Sequence, residues 1–169
     1  MTVGNNPTDR SKLGTKRHIL TDKQGIPLSA IISPASTHDI KLVTDVIDNT
    51  VIKQTFVSNK PKKGMKQKPR HNHLCLDRAY RSKPIEQEII KRGYVPHIPY
   101  KRKRGQVKKK EHQKQYESVR NKRWVVERTN SWHNRFRKLY IRYEKKVENY
   151  LGLIQLSCSI IIYRKIVLG

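Results

Sequence analysis

Acidic residues are scarce in this chain of 169 residues: 13 Asp and Glu stand against 38 Lys and Arg, a formal net charge of +25. That balance argues for a polyanionic partner, nucleic acid first and an acidic membrane surface second. Cysteine is scarcer still. Cys75 and Cys158 lie far apart without metal-ligand spacing, which excludes a zinc finger or ribbon and points to buried free thiols in a reducing compartment. The 8 Gly and 8 Pro follow no repeat, so collagen-like and elastic sequences are excluded. No long uninterrupted apolar run occurs. Met1 to Arg10 has no apolar signal core, and Tyr150 to Leu168 is broken by Gln155 and by Arg164-Lys165, too short to span a bilayer comfortably. A cytoplasmic protein with no membrane partner is expected. Aromatics make up 7% and hydrophobic residues 35%, which is low but sufficient for the core of one domain over 1–169.

The apolar residues that are present fall into periodic segments. Gly14 to Thr21 reads as a basic strand leading to a turn at Asp22-Lys23-Gln24-Gly25, where Gly25 can take the left-handed position. Ile26, Leu28, Ala30 and Ile32 then alternate with Pro27, Ser29, Ile31 and Ser33, completing a hairpin. Asp39 reads as the N-cap of a helix carrying Ile40, Val43, Ile47 and Val51. Leu74-Cys75-Leu76 is a short buried strand that delivers Asp77 at its C-terminal end. Ser82 caps a helix with Ile85, Ile89 and Ile90 that Gly93 ends. Tyr94 to Ile98 is a second short strand, and its prolines suggest an edge or an early end. A long helix is expected from Tyr116 to about Leu139, with Val125, Thr129, Trp132 and Phe136 along one face. A final helix over roughly Val147 to Val167 is apolar nearly all round its middle and should be buried against the sheet. The order predicts an α/β chain, strands early and helices late.

Two basic stretches interrupt this pattern. Lys60, Lys62, Lys63, Lys66, Lys68 and Arg70 form one, with no acid between them. Lys101, Arg102, Lys103 and Arg104 open the other, which runs to Lys110. Either can be a solvated loop; at +25 overall, sequence-independent phosphate contact is the stronger reading. Trp124 is a candidate for stacking on unpaired bases, while Trp132 reads as core.

In so basic a chain each acid is informative. Asp77 sits where a buried strand ends, the place where α/β folds hold ligands, although a turn or cap role accounts for it equally well. Glu127 lies mid-helix in Arg-Trp-Val-Val-Glu-Arg, where spacing alone favours an ion pair with Arg123 four residues earlier. A carboxylate pair can hold Mg²⁺, which takes hard oxygen ligands, and such ions can drive an in-line phosphodiester reaction.

Longer blocks weigh in favour of chemistry. Asn6-Pro7-Thr8-Asp9-Arg10 is followed by Lys12-Leu13-Gly14-Thr15-Lys16-Arg17-His18. Leu74-Cys75-Leu76-Asp77-Arg78-Ala79-Tyr80 comes next. Arg123-Trp124-Val125-Val126-Glu127-Arg128-Thr129 continues to Trp132-His133-Asn134-Arg135-Phe136-Arg137 and Arg142-Tyr143-Glu144. In order and over nearly the whole chain, these resemble a bacterial insertion-sequence transposase of the DDE superfamily, the IS-four/IS-five group. The resemblance implies an RNase H-like fold, Asp77 and Glu127 as the second and third metal-binding acids, and Arg123 as a catalytic-site residue orienting Glu127 or touching phosphate. It implies Mg²⁺ (or Mn²⁺) as cofactor and DNA, transposon ends and target, as partner, with a homo-oligomer as the active form. The family's first Asp lies on a central strand upstream of the segment that begins here at Asn6. The expectation is therefore a truncated catalytic domain lacking that strand, served by an upstream reading-frame product or decayed. The family's helix signature also has a Tyr seven residues before the Glu and a Lys seven after it; Arg120 and Asn134 stand there. The rival readings are a non-catalytic DNA-binding remnant that inhibits an intact transposase, and a basic RNA- or ribosome-binding protein.

Overall fold

In the computed structural model, residues 3–7, 9–52, 72–99 and 124–168 are described. Chain contacts divide the protein into two compact units, Met1–Val51 with Lys122–Gly169, and Ile52–Asn121.

The first unit is organised by a hairpin. Strand β1 (Gly4–Asn5) pairs antiparallel with β2 (Leu13–Thr21), which pairs antiparallel with β3 (Pro27–Pro34) in the order β1-β2-β3. The turn closes as its composition predicts. The Asp22 carboxylate accepts the N–H groups of Gln24 and Ile26, each at 2.8 Å, and Gly25 takes a left-handed φ of 86°. Cross-strand pairing puts Ile19 and Ala30 on one face, together with Arg17 and Ile32, and Lys16 and Ser33 on the other.

Helix α5 (Val147–Ile166) packs against β3. Tyr150, Ile154, Ser157, Cys158 and Ile161, spaced by three and four, make its buried stripe. Ala30, Leu139, Tyr150, Ile154 and Cys158 form the core, with Ile19, Ile32, Phe136 and Leu153 packed against it. Helix α5 is buried against the sheet as expected, along this one stripe, while Leu156, Tyr163 and Ile166 are exposed. Packing on one sheet face covers only one stripe of a cylinder.

Two expectations are corrected. The helix after β3 is short, a 3₁₀ turn Asp39–Leu42 running into α1 (Val43–Asp48), and its cap is His38, whose side chain accepts the Ile40 N–H. Asp39 is instead the first residue of the turn, and its carboxylate accepts from Lys16 Nζ at 2.8 Å. Val43 and Ile47 are buried as expected, whereas Val51 lies beyond the helix and is exposed. The long helix is also interrupted. Helix α3 covers 124–134 and ends in i→i−3 bonds from the Arg135 and Phe136 N–H groups. Phe136 is extended and packs its ring against the core before α4 (Arg137–Tyr140) begins. Residues 116–123 of the expected helix lie outside the described residues.

The second unit contains a β-α-β segment: β4 (Asn72–Cys75), a 3₁₀ turn Arg78–Tyr80, α2 (Lys83–Lys91) and β5 (Tyr94–His97). Strands β4 and β5 pair in parallel, so they need the crossover that α2 supplies. Ile89, Leu74 and Ile98 are buried, and Ile90 is exposed. Gly93, at a φ of 77°, ends the helix with its N–H on Ile90 O.

His133 of α3 is fully buried between α3 and α5. Ser157 Oγ lies 2.8 Å from its Nδ1 and already donates to Ile154 O, so it accepts the Nδ1–H. Nε2 then faces the Cys158 thiol at 3.7 Å as an acceptor. Burial first, and the Arg17 charge second, hold the imidazole pKa down from 6.5 to about 4. Burial likewise pushes the Cys158 thiol up to about 11. Between pH 6.5 and about 4 the unfolded chain binds a proton that the folded chain refuses. Stability should therefore fall across that window as pH drops, by at most about 3 kcal/mol, and level off below it. Urea unfolding of the wild type and His133→Gln at pH 7, 5.5 and 4 tests this: the stability difference between them should shrink toward acid pH, and a constant difference would refute it.

Candidate functional site

Asp77 and Glu127 lie in different units, and each is positioned by its own local structure. Asp77 follows β4 after one residue, with its side chain exposed. Its backbone is extended (φ −78°, ψ 170°), and Oδ1 accepts the Ala79 N–H, capping the turn Arg78–Tyr80. The cap reading and the ligand reading are thus compatible, since the cap engages one carboxylate oxygen and fixes the other's direction.

Glu127 is exposed on α3, and α3 is anchored to the hairpin turn by the two residues that follow it. Thr129 Oγ1 donates to Gly25 O at 2.8 Å from a fully buried position, and Arg128 donates to Gln24 O. The Arg128 guanidinium lies between two indoles, 4.4 Å from the Trp124 ring centroid and 5.0 Å from that of Trp132. Lys165 approaches the Trp132 ring at 5.4 Å. Trp132 is half-buried rather than core, while Trp124 is 51% exposed. At the other end of α3, Arg17 Nη2 donates to Asn134 Oδ1 at 2.7 Å and brings a guanidinium to the helix end.

Arg142 closes the same unit by donating to Thr15 Oγ1 and to the carbonyls of Glu144 and Lys145 while its guanidinium sits 5.0 Å from the Tyr150 ring centroid. Nothing in the sequence singles out Arg128 or Arg142 for these roles. Arg128 reaches a carbonyl and Arg142 a hydroxyl far away in the chain, and no local spacing signals either.

Arg123 and the basic residues Lys60, Lys62, Lys63, Lys66, Lys68, Arg70, Lys101, Arg102, Lys103 and Arg104 lie outside the described residues. Among the described residues, no group of three or more His, Cys, Asp or Glu side chains can hold a metal ion. No helix among them is long and apolar enough to cross a membrane.

The family profile described as Transposase DDE domain matches residues 2–162. The chain therefore belongs to the DDE transposases, proteins of DNA transposition and recombination, and its mixed α/β structure is consistent with that domain. The protein named "Putative transposase for insertion sequence element IS402" from Burkholderia cepacia is 33% identical over 161 residues, 94% of this chain and 67% of that protein. No solved structure matches the chain.

The Asp77 cap can be separated from its charge. Asp77→Asn keeps an oxygen for the Ala79 N–H, while Asp77→Ala leaves that donor to solvent. Urea unfolding should show Asn near wild type and Ala destabilised by about 1 kcal/mol. Equal stability of Ala and wild type would remove the cap.

Proposed function

We propose that the chain acts as an insertion-sequence transposase whose Asp77 and Glu127 are metal-binding acids of an RNase H-like DDE site, 1–169 forming one domain of it. The observation that carries this reading is Asp77 itself: an exposed carboxylate at the C-terminal end of a parallel strand, held by its own turn, in a sequence block that matches the family. Both acids offer the hard oxygens that Mg²⁺ or Mn²⁺ requires. When bound, the metal would activate a water or hydroxyl and offset charge on the leaving oxygen of a DNA phosphodiester.

The chain's own residues supply the rest. Asp77 is oriented by the Ala79 N–H. The grip of Arg128 and Thr129 on the hairpin turn fixes the helix that presents Glu127. Arg123 orients Glu127 or meets phosphate. Trp124, exposed beside Arg128, offers a face to a base. The substrate is DNA, transposon ends and target, and the active form is an oligomer in the cytoplasm. The alternative is a DNA-binding remnant without catalysis.

The resemblance to the family implies a third acid beside Asp77 and Glu127. The chain alone should thus be inactive in Mg²⁺-dependent nicking and strand transfer on transposon-end DNA. A chain extended upstream by an Asp-bearing strand should be active, and Asp77→Ala or Glu127→Ala in it should return activity to background. Robust cleavage by the short chain would place the missing acid elsewhere. Full activity of the extended Glu127→Ala protein would refute the assignment of Glu127.

The same chain should bind duplex DNA with little sequence preference. Neutralising Lys60 to Arg70 or Lys101 to Lys110 should flatten the dependence of log K on log salt, by about 0.9 for each phosphate no longer neutralised. An unchanged slope in both variants would remove these stretches from the interface.

A further inference from the structure

The face of the β4–β5 sheet opposite Leu74 carries a histidine pair. In the parallel register His73 pairs with Val95 and Cys75 with His97, so alternation sets His73 and His97 on one face, offset by one diagonal step. Their rings tilt toward each other at a centroid separation of 4.9 Å, with His73 Nδ1 2.7 Å from His97 Nε2. A contact this short needs one N–H and one lone pair, so the two nitrogens share a single proton between them. Two imidazole nitrogens that converge across adjacent strands, one ring exposed and the other half-buried, form a bidentate set.

We propose that His73 and His97 form a cross-strand chelate for one divalent transition metal of the Zn²⁺, Ni²⁺ or Co²⁺ class, separate from the carboxylate chemistry at Asp77 and Glu127. Imidazole nitrogen suits these borderline metals, whereas Mg²⁺ and Mn²⁺ favour carboxylate and water oxygens. No third side chain of the described residues completes the set, so water fills the remaining positions and the ion acts as a clip rather than a buried structural centre.

The proton balance closes. In the hydrogen-bonded pair one ring holds its N–H on the nitrogen facing the other. On metal binding that ring changes tautomer, leaving protons on His73 Nε2 and His97 Nδ1, and the neutral pair releases none. Metal–nitrogen bonds of about 2.0–2.1 Å at a tetrahedral angle set the two nitrogens about 3.4 Å apart. The pair must therefore open by about 0.7 Å, a motion available to the exposed His73 ring. Binding ties β4 to β5 and stabilises the folded state by mass action, which steadies the strand that leads into Asp77.

The test uses the full chain, free of any histidine tag. Zn²⁺ or Ni²⁺ at tens to hundreds of micromolar should raise the melting temperature by a few degrees, and Mg²⁺ at the same concentrations should not. His73→Gln and His97→Gln should each abolish the shift, while His38→Gln should keep it. X-ray absorption of the Ni²⁺-loaded wild type should show back-scattering from two imidazoles, a readout independent of whether either variant folds. A shift that survives both substitutions, or a Ni²⁺ spectrum without imidazole neighbours, would overturn the chelate.

Discussion

The seating of α3 on the β2–β3 turn is the interaction on which the rest of the first unit depends. Thr129 gives its hydroxyl to Gly25 O and Arg128 its guanidinium to Gln24 O, so one turn of helix satisfies two carbonyls of the hairpin loop. The approach is close. A Cβ at residue 25 would stand 2.9 Å from Thr129 Oγ1 and 3.0 Å from Arg128 Nη2, and the backbone there is already left-handed. Glycine is required twice over, once for the turn and once for the helix that covers it. The residue immediately before this pair of anchors is Glu127, so the contact that completes the packing also presents the acid.

Charge is handled by the same economy. Arg128 lies between Trp124 and Trp132 while bonded to a carbonyl, and Arg142 reaches Thr15, two carbonyls and the Tyr150 ring. Guanidinium groups suit this work because a planar fork can satisfy several acceptors and stack at once. In a chain with 38 basic and 13 acidic residues, most cations cannot find carboxylates. Here some are held by carbonyls and aromatic faces, and the others contribute the positive field expected of a protein that works on DNA.

Much of this was legible in the residues. The hairpin, its turn, the Gly25 and Gly93 positions, strand β4 ahead of Asp77, and helix α5 followed from alternation, turn chemistry and three-four spacing. These are local signals, and short-range geometry obeys them. The departures arise where tertiary contacts enter: the helix cap falls to His38 while the Asp39 carboxylate accepts from Lys16, and α3 stops where Phe136 turns into the core. At Phe136, packing against residues remote in sequence outweighs a local helix preference worth under about 1 kcal/mol.

Charge and family blocks belong to the sequence by itself, because they are properties of residue type and order. Which arginine anchors a helix, which histidine becomes a buried neutral hydrogen-bond partner of Ser157, and which two histidines face each other across parallel strands were decided only by tertiary structure. The spacings between those residues, 104 for Arg128 and Gln24 and 24 for His73 and His97, carry no period that a chain could advertise. Folding alone brings them within bonding distance.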